Sequence, residues 1–373
     1  MDALLAQFGG LQLALAPGGT ERIIHAVRHE IREKRKSGIA VDCVNAYNAI
    51  NRDIIRDILA EEKWRGLHGL FNTLYASASV LFVAGGAPII SSQGVRQGDV
   101  LGPALFCLGL HPLLTSLAEA HPKVKFFAFV DDIVITGSSR WVRKAFSSLV
   151  LGLEELGLRV NKQKTFAFGE EGARLATKLG ISHNPTGAKL LGAWVSTDDC
   201  DEIAYLELKL KGHDILFERL GLLPQEIALV LLSRCAHPRW NHLARTHPSM
   251  GNTTAGFDAK VQQSLAKAAS VQDADHFLQS AAVDLAAIPL KDGGLGLRKW
   301  VDIAPAAYAA SRDPSSATQE TRSAILDQKN IEQYDNRGGS FREKRLANAA
   351  NKKHICGCHL STRTTPLMTN NLV

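Results

Sequence analysis

The sequence predicts an α+β fold: a platform of strands and amphipathic helices, then an all-helical block. Three observations lead there. β-Branched, strand-length runs alternate with helically spaced apolar residues up to about residue 200. From Tyr205 to Ala310 the apolar spacing is almost entirely helical. Between residues 126 and 136, two adjacent carboxylates, Asp131 and Asp132, interrupt a strand-forming run and mark the tip of a hairpin.

Taken in order, residues 20–36 carry Ile23, Ile24, Ala26, Val27 and Ile31 at helical spacing after Gly18-Gly19. A short strand then leads to Asp42. Asn51 is placed to cap a helix running from Arg52 to about Glu62, with Ile54, Ile55, Ile58 and Leu59 facing inward. A helix over 67–76 precedes two strands, 79–83 and 89–92, paired across Gly85-Gly86. Residues 94–99 form a loop, and a helix starts near Pro103, where proline is tolerated; Pro112 is expected to kink or restart it. The Asp131 hairpin follows, then a helix over 139–156 closed by Gly157 as a left-handed cap. Short strands are expected at 158–160 and 190–196. The later helices break near Pro238, Pro248 and Gly251. Beyond Ser311 the chain turns polar, the composition of a partly disordered tail.

At 373 residues, 45% hydrophobic and 21% charged, the chain can bury a core in two or three subdomains. No apolar run approaches bilayer length and the N-terminus lacks a signal peptide's basic region, so no membrane partner is expected. The six cysteines form no disulfide framework, which fits a reducing, intracellular setting. A net charge of +6 suits a polyanionic partner. Basic residues cluster at 28–36 and again at 337–353, although each cluster is equally read as a solvated surface.

Two unit charges 4 Å apart repel by about 4 kcal/mol at an effective dielectric of about 20. Asp131-Asp132 therefore needs water or a divalent cation. Paired aspartates are commonplace in turns, so the surroundings decide. A third carboxylate, Asp42, ends the apolar stretch Gly38-Ile-Ala-Val, and the three together suit a pair of metal ions for phosphoryl transfer. Gln97 and Gly98 precede a helix and by themselves read as a plain helix start, although the free backbone N–H groups there could also meet an anion. The C-terminal His354-Ile-Cys-Gly-Cys-His359 lacks the usual zinc spacing, and zinc there stays open.

Five segments then stand in a specific order. They are Asp42-Cys-Val-Asn-Ala-Tyr-Asn-Ala-Ile-Asn-Arg52, Gln93-Gly-Val-Arg-Gln-Gly-Asp-Val-Leu-Gly-Pro-Ala-Leu-Phe106, Phe129-Val-Asp-Asp132, Gly157-Leu-Arg-Val-Asn-Lys-Gln-Lys-Thr165 and Leu191-Gly-Ala-Trp-Val195. The set resembles the reverse transcriptases of non-LTR (LINE-type) retrotransposons over residues 20–196, and less specifically, through Gly293-Gly-Leu-Gly-Leu297, to about Ser311. Each segment alone is weak; the order is what is specific.

The resemblance implies a right-hand polymerase: a fingers remnant over 1–40, a palm over 41–200 whose antiparallel sheet packs on helices, a helical thumb-like region over 201–311, and a polar basic tail over 312–373. It implies an RNA-directed DNA polymerase, a nucleotidyltransferase adding deoxynucleotides to a DNA primer's 3′-hydroxyl on an RNA template with two Mg2+ ions. Asp42 and Asp131 would be the metal ligands, and Asp132 an outer ligand or a residue that shapes the hairpin. Lys164 matches a position near the pyrophosphate, as proton donor or phosphate contact, though lysines after strands are usually just solvated. Tyr47 would lie against the incoming sugar and exclude a 2′-hydroxyl, Gln97 and Gly98 would meet the nucleotide, and Leu191 and Gly192 the primer end. Nuclear residence follows from what such elements do.

The pattern departs from the family ahead of Asp42. Only 41 residues precede it, and residues 7–28 match the last part of a longer fingers region, with Gly18-Gly19-Thr20-Glu21 and His25 in place. The basic strand that would clamp the triphosphate has no counterpart, and an endonuclease domain has no room. Two further readings follow: an inactive remnant that binds nucleic acid, and a maturase-like RNA-binding protein.

Overall fold

Helix α1 (Gly19–Arg32) and strand β1 (Ser37–Val41) open a first unit whose centre is a sheet. The computed structural model describes residues 8, 10–82, 84–248, 250–271 and 273–312. After β1 come α2 (Ala46–Ala49), α3 (Arg52–Leu59), α4 (Arg65–Tyr75), β2 (Ser79–Leu81), β3 (Ile89–Ser91) and α5 (Gly102–Ala120). The hairpin β4 (Val124–Phe129) and β5 (Asp132–Gly137) follows, then α6 (Ser139–Glu155), β6 (Phe166–Gly169), α7 (Gly172–Leu179), β7 (Ser182–His183), β8 (Ala188–Leu190) and β9 (Ala193–Val195).

The main sheet has the order β4-β5-β1-β6-β7; β1 is antiparallel to both neighbours, and only β6-β7 is parallel. β1 is central because Ser-Gly-Ile-Ala-Val is small and apolar on both faces. Gly38 is required there: a Cβ would lie 2.6 Å from the Phe168 ring. Side-chain alternation splits the core. Ile39, Val41, Ile133 and Ile135 pack with residues of α3, α5 and α6 on one face, while Val134 and Phe168 pack with Ile23, Ile24 and Val27 of α1 and with Leu190 and Val195 on the other.

Several expectations hold in detail. The Asn51 side chain accepts from the Asp53 N–H and starts α3. Gly157 (φ 79) closes α6, with its N–H on Glu154 and the Leu158 N–H on Leu153 at 2.8 Å. β2 and β3 pair with Ser79 opposite Ser91.

Other expectations are corrected. α5 does not restart at Pro112: the helix continues through it, with core residues on both sides of the proline holding the turn despite the lost hydrogen bond. The same helix is, among the described residues, long and apolar enough to cross a membrane by length and composition, contrary to the expectation that no run is. Half of that stretch is buried within the protein, as in a core helix. The strand expected at 158–160 is a single bridge, Cys43 to Val160, and β6, α7 and β7 had no expectation attached. The strand expected at 190–196 is two strands, β8 and β9, joined by Leu191 (φ 48) and Gly192 (φ 86), both left-handed as a type I′ turn requires.

The second unit comprises residues 206–244 and 250–310, whereas residues around 245–248 and 311–312 belong with the first. Its helices come from α8 (Asp199–Gly212), α9 (Asp214–Leu220), α10 (Gln225–Leu231), α11 (Asn241–Thr246), α12 (Thr253–Ala268), α13 (Ala274–Gln279), α14 (Ala281–Ala287) and α15 (Trp300–Arg312). Trp240 stacks on Phe257 at 4.7 Å, and His237 on Trp300 at 5.2 Å. Asp258 of α12 accepts from the Trp300 and Val301 N–H groups at 2.9 and 3.0 Å, capping α15 from outside its own chain segment.

Candidate active site

Asp42 directly follows β1. The register pairs Val41 with Ile133, so one step further sets Asp42 across from Asp132 at the end of the sheet. Two bonds hold the backbone there: the Asp42 N–H donates to Thr165 Oγ1 at 3.1 Å, and its carbonyl accepts from the Asn161 N–H at 2.8 Å. The segment carrying Lys164 is thereby laid beside Asp42, and Lys164 itself is tied by its N–H to Asn161.

A cavity of about 190 Å³ opens at this point, lined by Asp42, Asp132, Lys164, Lys189 and Leu191, with Ile23 and Phe166 among its apolar walls. Sequence reasoning missed Lys189. Reading Leu191-Gly192 as a hairpin turn would have found it, since the preceding strand then runs beside β9 with Lys189 opposite Trp194. Leu191 lines the cavity; Gly192 sits exposed in the turn, its carbonyl accepting from the Tyr205 hydroxyl at 2.8 Å.

Asp131 stands at the hairpin tip but is not among the cavity's lining residues. Its charge is felt on the other flank. Burial, then Asp131, Asp42 and Asp132, push the Cys43 thiol up to about 12; burial and then Asp131 push Cys107 likewise to about 12. The Tyr47 hydroxyl is raised by burial first, then by Cys107 and Asp131. Both tip acids are raised as well: Asp131 by burial and then Asp42, Asp132 by burial and then Asp131 and Asp42. Each tip carboxylate thus senses Asp42 across the strand ends.

Tyr47, on α2, stacks on Phe106 with ring centroids 5.3 Å apart and planes 6° from parallel. Gln97 and Gly98 (φ 89) form an exposed turn, and neither lines the 190 Å³ cavity. They reach the neighbourhood through the backbone: the Val95 N–H donates to the Tyr47 carbonyl at 2.7 Å, and the Gly94 N–H to Ile50 at 2.9 Å. Gly94 (φ 69) must be glycine, because a Cβ would come within 2.3 Å of the Tyr47 carbonyl oxygen.

Among the described residues, no three His, Cys, Asp or Glu side chains make a metal cage by themselves. The donor set still fits a hard cation that keeps waters and shares substrate phosphates, because such ions need only one or two protein carboxylates. The C-terminal His354-to-His359 cluster and the basic tail from residue 313 lie outside the described residues.

Residues 2–206 match the family model described as reverse transcriptase (RNA-dependent DNA polymerase). The chain is 27% identical to the retrotransposable element SLACS 132 kDa protein of Trypanosoma brucei gambiense, over 92% of this chain and 29% of that protein, so it spans under a third of the relative's length. Among solved structures it is similar to apo telomerase from Candida tropicalis, at 11% identity and a TM-score of 0.44, covering 92% of this chain and 59% of that one. It is also similar to the RNA-dependent RNA polymerase of a human picobirnavirus, at 15% identity and a TM-score of 0.43, covering 83% and 57% of the two chains. With the family model matching more than half of its length, this chain belongs to the reverse transcriptase (RNA-dependent DNA polymerase) family.

Proposed function

We propose that the chain carries the nucleotidyl-transfer site of an RNA-directed DNA polymerase from a non-LTR retroelement. One observation carries the reading: Asp42, Asp132 and Lys164, far apart in sequence, line one cavity at the end of an antiparallel sheet, with Asp131 at the adjoining tip. Asp42 and Asp131 would hold two magnesium ions, which when bound activate the primer 3′-hydroxyl and neutralise the leaving pyrophosphate. The chain's own groups do the rest. Lys164 shares the cavity wall with Asp42 and Asp132, where it would steady phosphate charge or give a proton to the pyrophosphate. Lys189 adds a second cation to the same wall. Tyr47, backed by Phe106, supplies a rigid face that a ribose 2′-hydroxyl would strike. Gln97 and Gly98 offer backbone N–H groups to the nucleotide, and the Leu191-Gly192 turn supports the primer end. The partners are then an RNA template, a DNA primer and deoxynucleoside triphosphates, and the setting is the nucleus.

The test is primer extension with purified chain, RNA template, annealed DNA primer, magnesium and each class of triphosphate. Template-dependent extension that disappears in Asp131→Ala is the expected result. No extension, with salt-sensitive binding of labelled primer–template, would instead leave a nucleic-acid-binding protein without polymerase chemistry.

A further inference from the structure

Val130, the residue before the two tip acids, has φ 56. A β-branched residue in the left-handed region is strained, by about 1–3 kcal/mol, and persists only where its surroundings over-determine it. Here one side chain meets both of its backbone polar groups, next to the Cys107 thiol, which also takes a hydrogen bond from this backbone. Gln12 Nε2 donates to the Val130 carbonyl at 3.0 Å, and Gln12 Oε1 accepts the Val130 N–H at 2.9 Å. Both polar groups of this residue are therefore held by a single amide, from a segment more than a hundred residues away in sequence.

The amide is itself fixed. Gln12 is 2% exposed, and its Oε1 also accepts the Ala14 N–H at 3.3 Å. Its backbone neighbours dock on β4: the Leu13 N–H donates to Ala128 and the Ala128 N–H to Leu11, each at 2.8 Å. The strand pairing itself stops at Phe129 opposite Asp132, which leaves the tip peptide groups without ladder partners. Glutamine suits the position because only a primary amide presents a donor and an acceptor side by side at this reach.

We propose that Gln12 is a positioning residue for the catalytic acids: it holds Val130 left-handed and so sets the directions in which Asp131 and Asp132 leave the hairpin. Without the clamp the tip relaxes toward ordinary backbone angles and swings both carboxylates away from Asp42. The consequence for catalysis rests on the polymerase reading; the clamp itself does not.

The experiment combines Gln12→Met, which removes both hydrogen bonds at similar length, with Val130→Gly, which makes the left-handed conformation free of strain. Three quantities are read: Mn2+ affinity by electron paramagnetic resonance, kcat and KM for primer extension, and hydrogen exchange at the Val130 amide. Gln12→Met alone should weaken Mn2+ about tenfold and lower kcat about 100-fold with KM for the triphosphate little changed. In the Val130→Gly background most of both losses should be recovered, since glycine reaches the same tip geometry unaided. A side chain that only packs would give the same loss in both backgrounds, and that result overturns the proposal. If Gln12→Met does not fold, Gln12→Glu, which keeps the acceptor and loses the donor, replaces it in the same comparison. If the unaltered chain neither binds Mn2+ nor extends primers, the polymerase reading falls. The clamp is then judged by exchange alone: a Val130 amide that exchanges no faster in Gln12→Met than in the unaltered chain refutes it, since the Cys107 contact is common to both.

Discussion

The Arg52 guanidinium donates to the Gly94 carbonyl at 2.8 Å, tying the end of the Asp42 motif to the loop that carries Gln97 and Gly98. The same group reaches the carbonyls of Gln93 at 3.0 Å and Ser91 at 3.3 Å, and it lies over the Tyr75 ring at 5.2 Å. It is 5% exposed. A lysine cannot span this fork, so Arg52→Lys should lose about 2–4 kcal/mol of stability and raise KM for the incoming nucleotide as the loop loosens. Urea denaturation with an unshifted midpoint would contradict this.

Tyr47 is held face to face with Phe106, which would keep its ring in place as the proposed sugar gate. Tyr47→Ala should raise ribonucleotide incorporation roughly tenfold relative to deoxynucleotides, while Tyr47→Phe should keep the wild-type preference. An unchanged sugar preference in the alanine variant removes Tyr47 from the role.

Removing one of three mutually repelling acids should help the fold while harming the chemistry. Asp132→Asn is expected to raise the melting temperature at neutral pH and low salt, with the gain shrinking as salt screens the acids. Primer extension should fall about 100-fold or more. A variant destabilised at low salt would argue that Asp132 is held by partners other than the acid cluster.

His25 is pushed down to about 4 by burial, then by Arg28 and Arg312, and its Nε2 lies 2.8 Å from Ser311 Oγ. A folded-state value below the usual 6.5 means that His25 favours the fold at pH above 6.5, and that this contribution is lost as pH falls toward 4. The loss should come to about 2–3 kcal/mol. His25→Gln should flatten the acid side of the stability profile across that window; an unchanged acid limb would show that another group governs it.

Asp258 behaves in the opposite sense. Burial pushes it up to about 6, opposed by the Trp300 and Val301 N–H groups. Its contribution is greatest below the usual 3.8 and is lost as pH rises through about 6. The stability difference between Asp258→Asn and the parent should therefore move in the variant's favour by up to about 3 kcal/mol from pH 4 to 7.5. A difference independent of pH refutes this assignment.

Local chemistry was legible wherever one residue determines one piece of backbone. Asn51 starts its helix, Gly157 ends another, and Asp131-Asp132 marks a hairpin tip. What failed was non-local. β6 is four residues long, Phe-Ala-Phe-Gly, too short for a periodic signal, and exists because β1 lies alongside to pair with it. The helix does not restart at Pro112, because core packing on both sides of the proline carries it through. Lys189 was invisible because one strand was expected where a two-residue turn makes two.

The order of five short segments was enough to determine the family, because residue type and spacing survive in one dimension. Which acid shares a cavity with Asp42 and Lys164 was decided only in three dimensions. Side-chain direction there depends on strand register and on the left-handed backbone of Val130, which a distant glutamine holds in place.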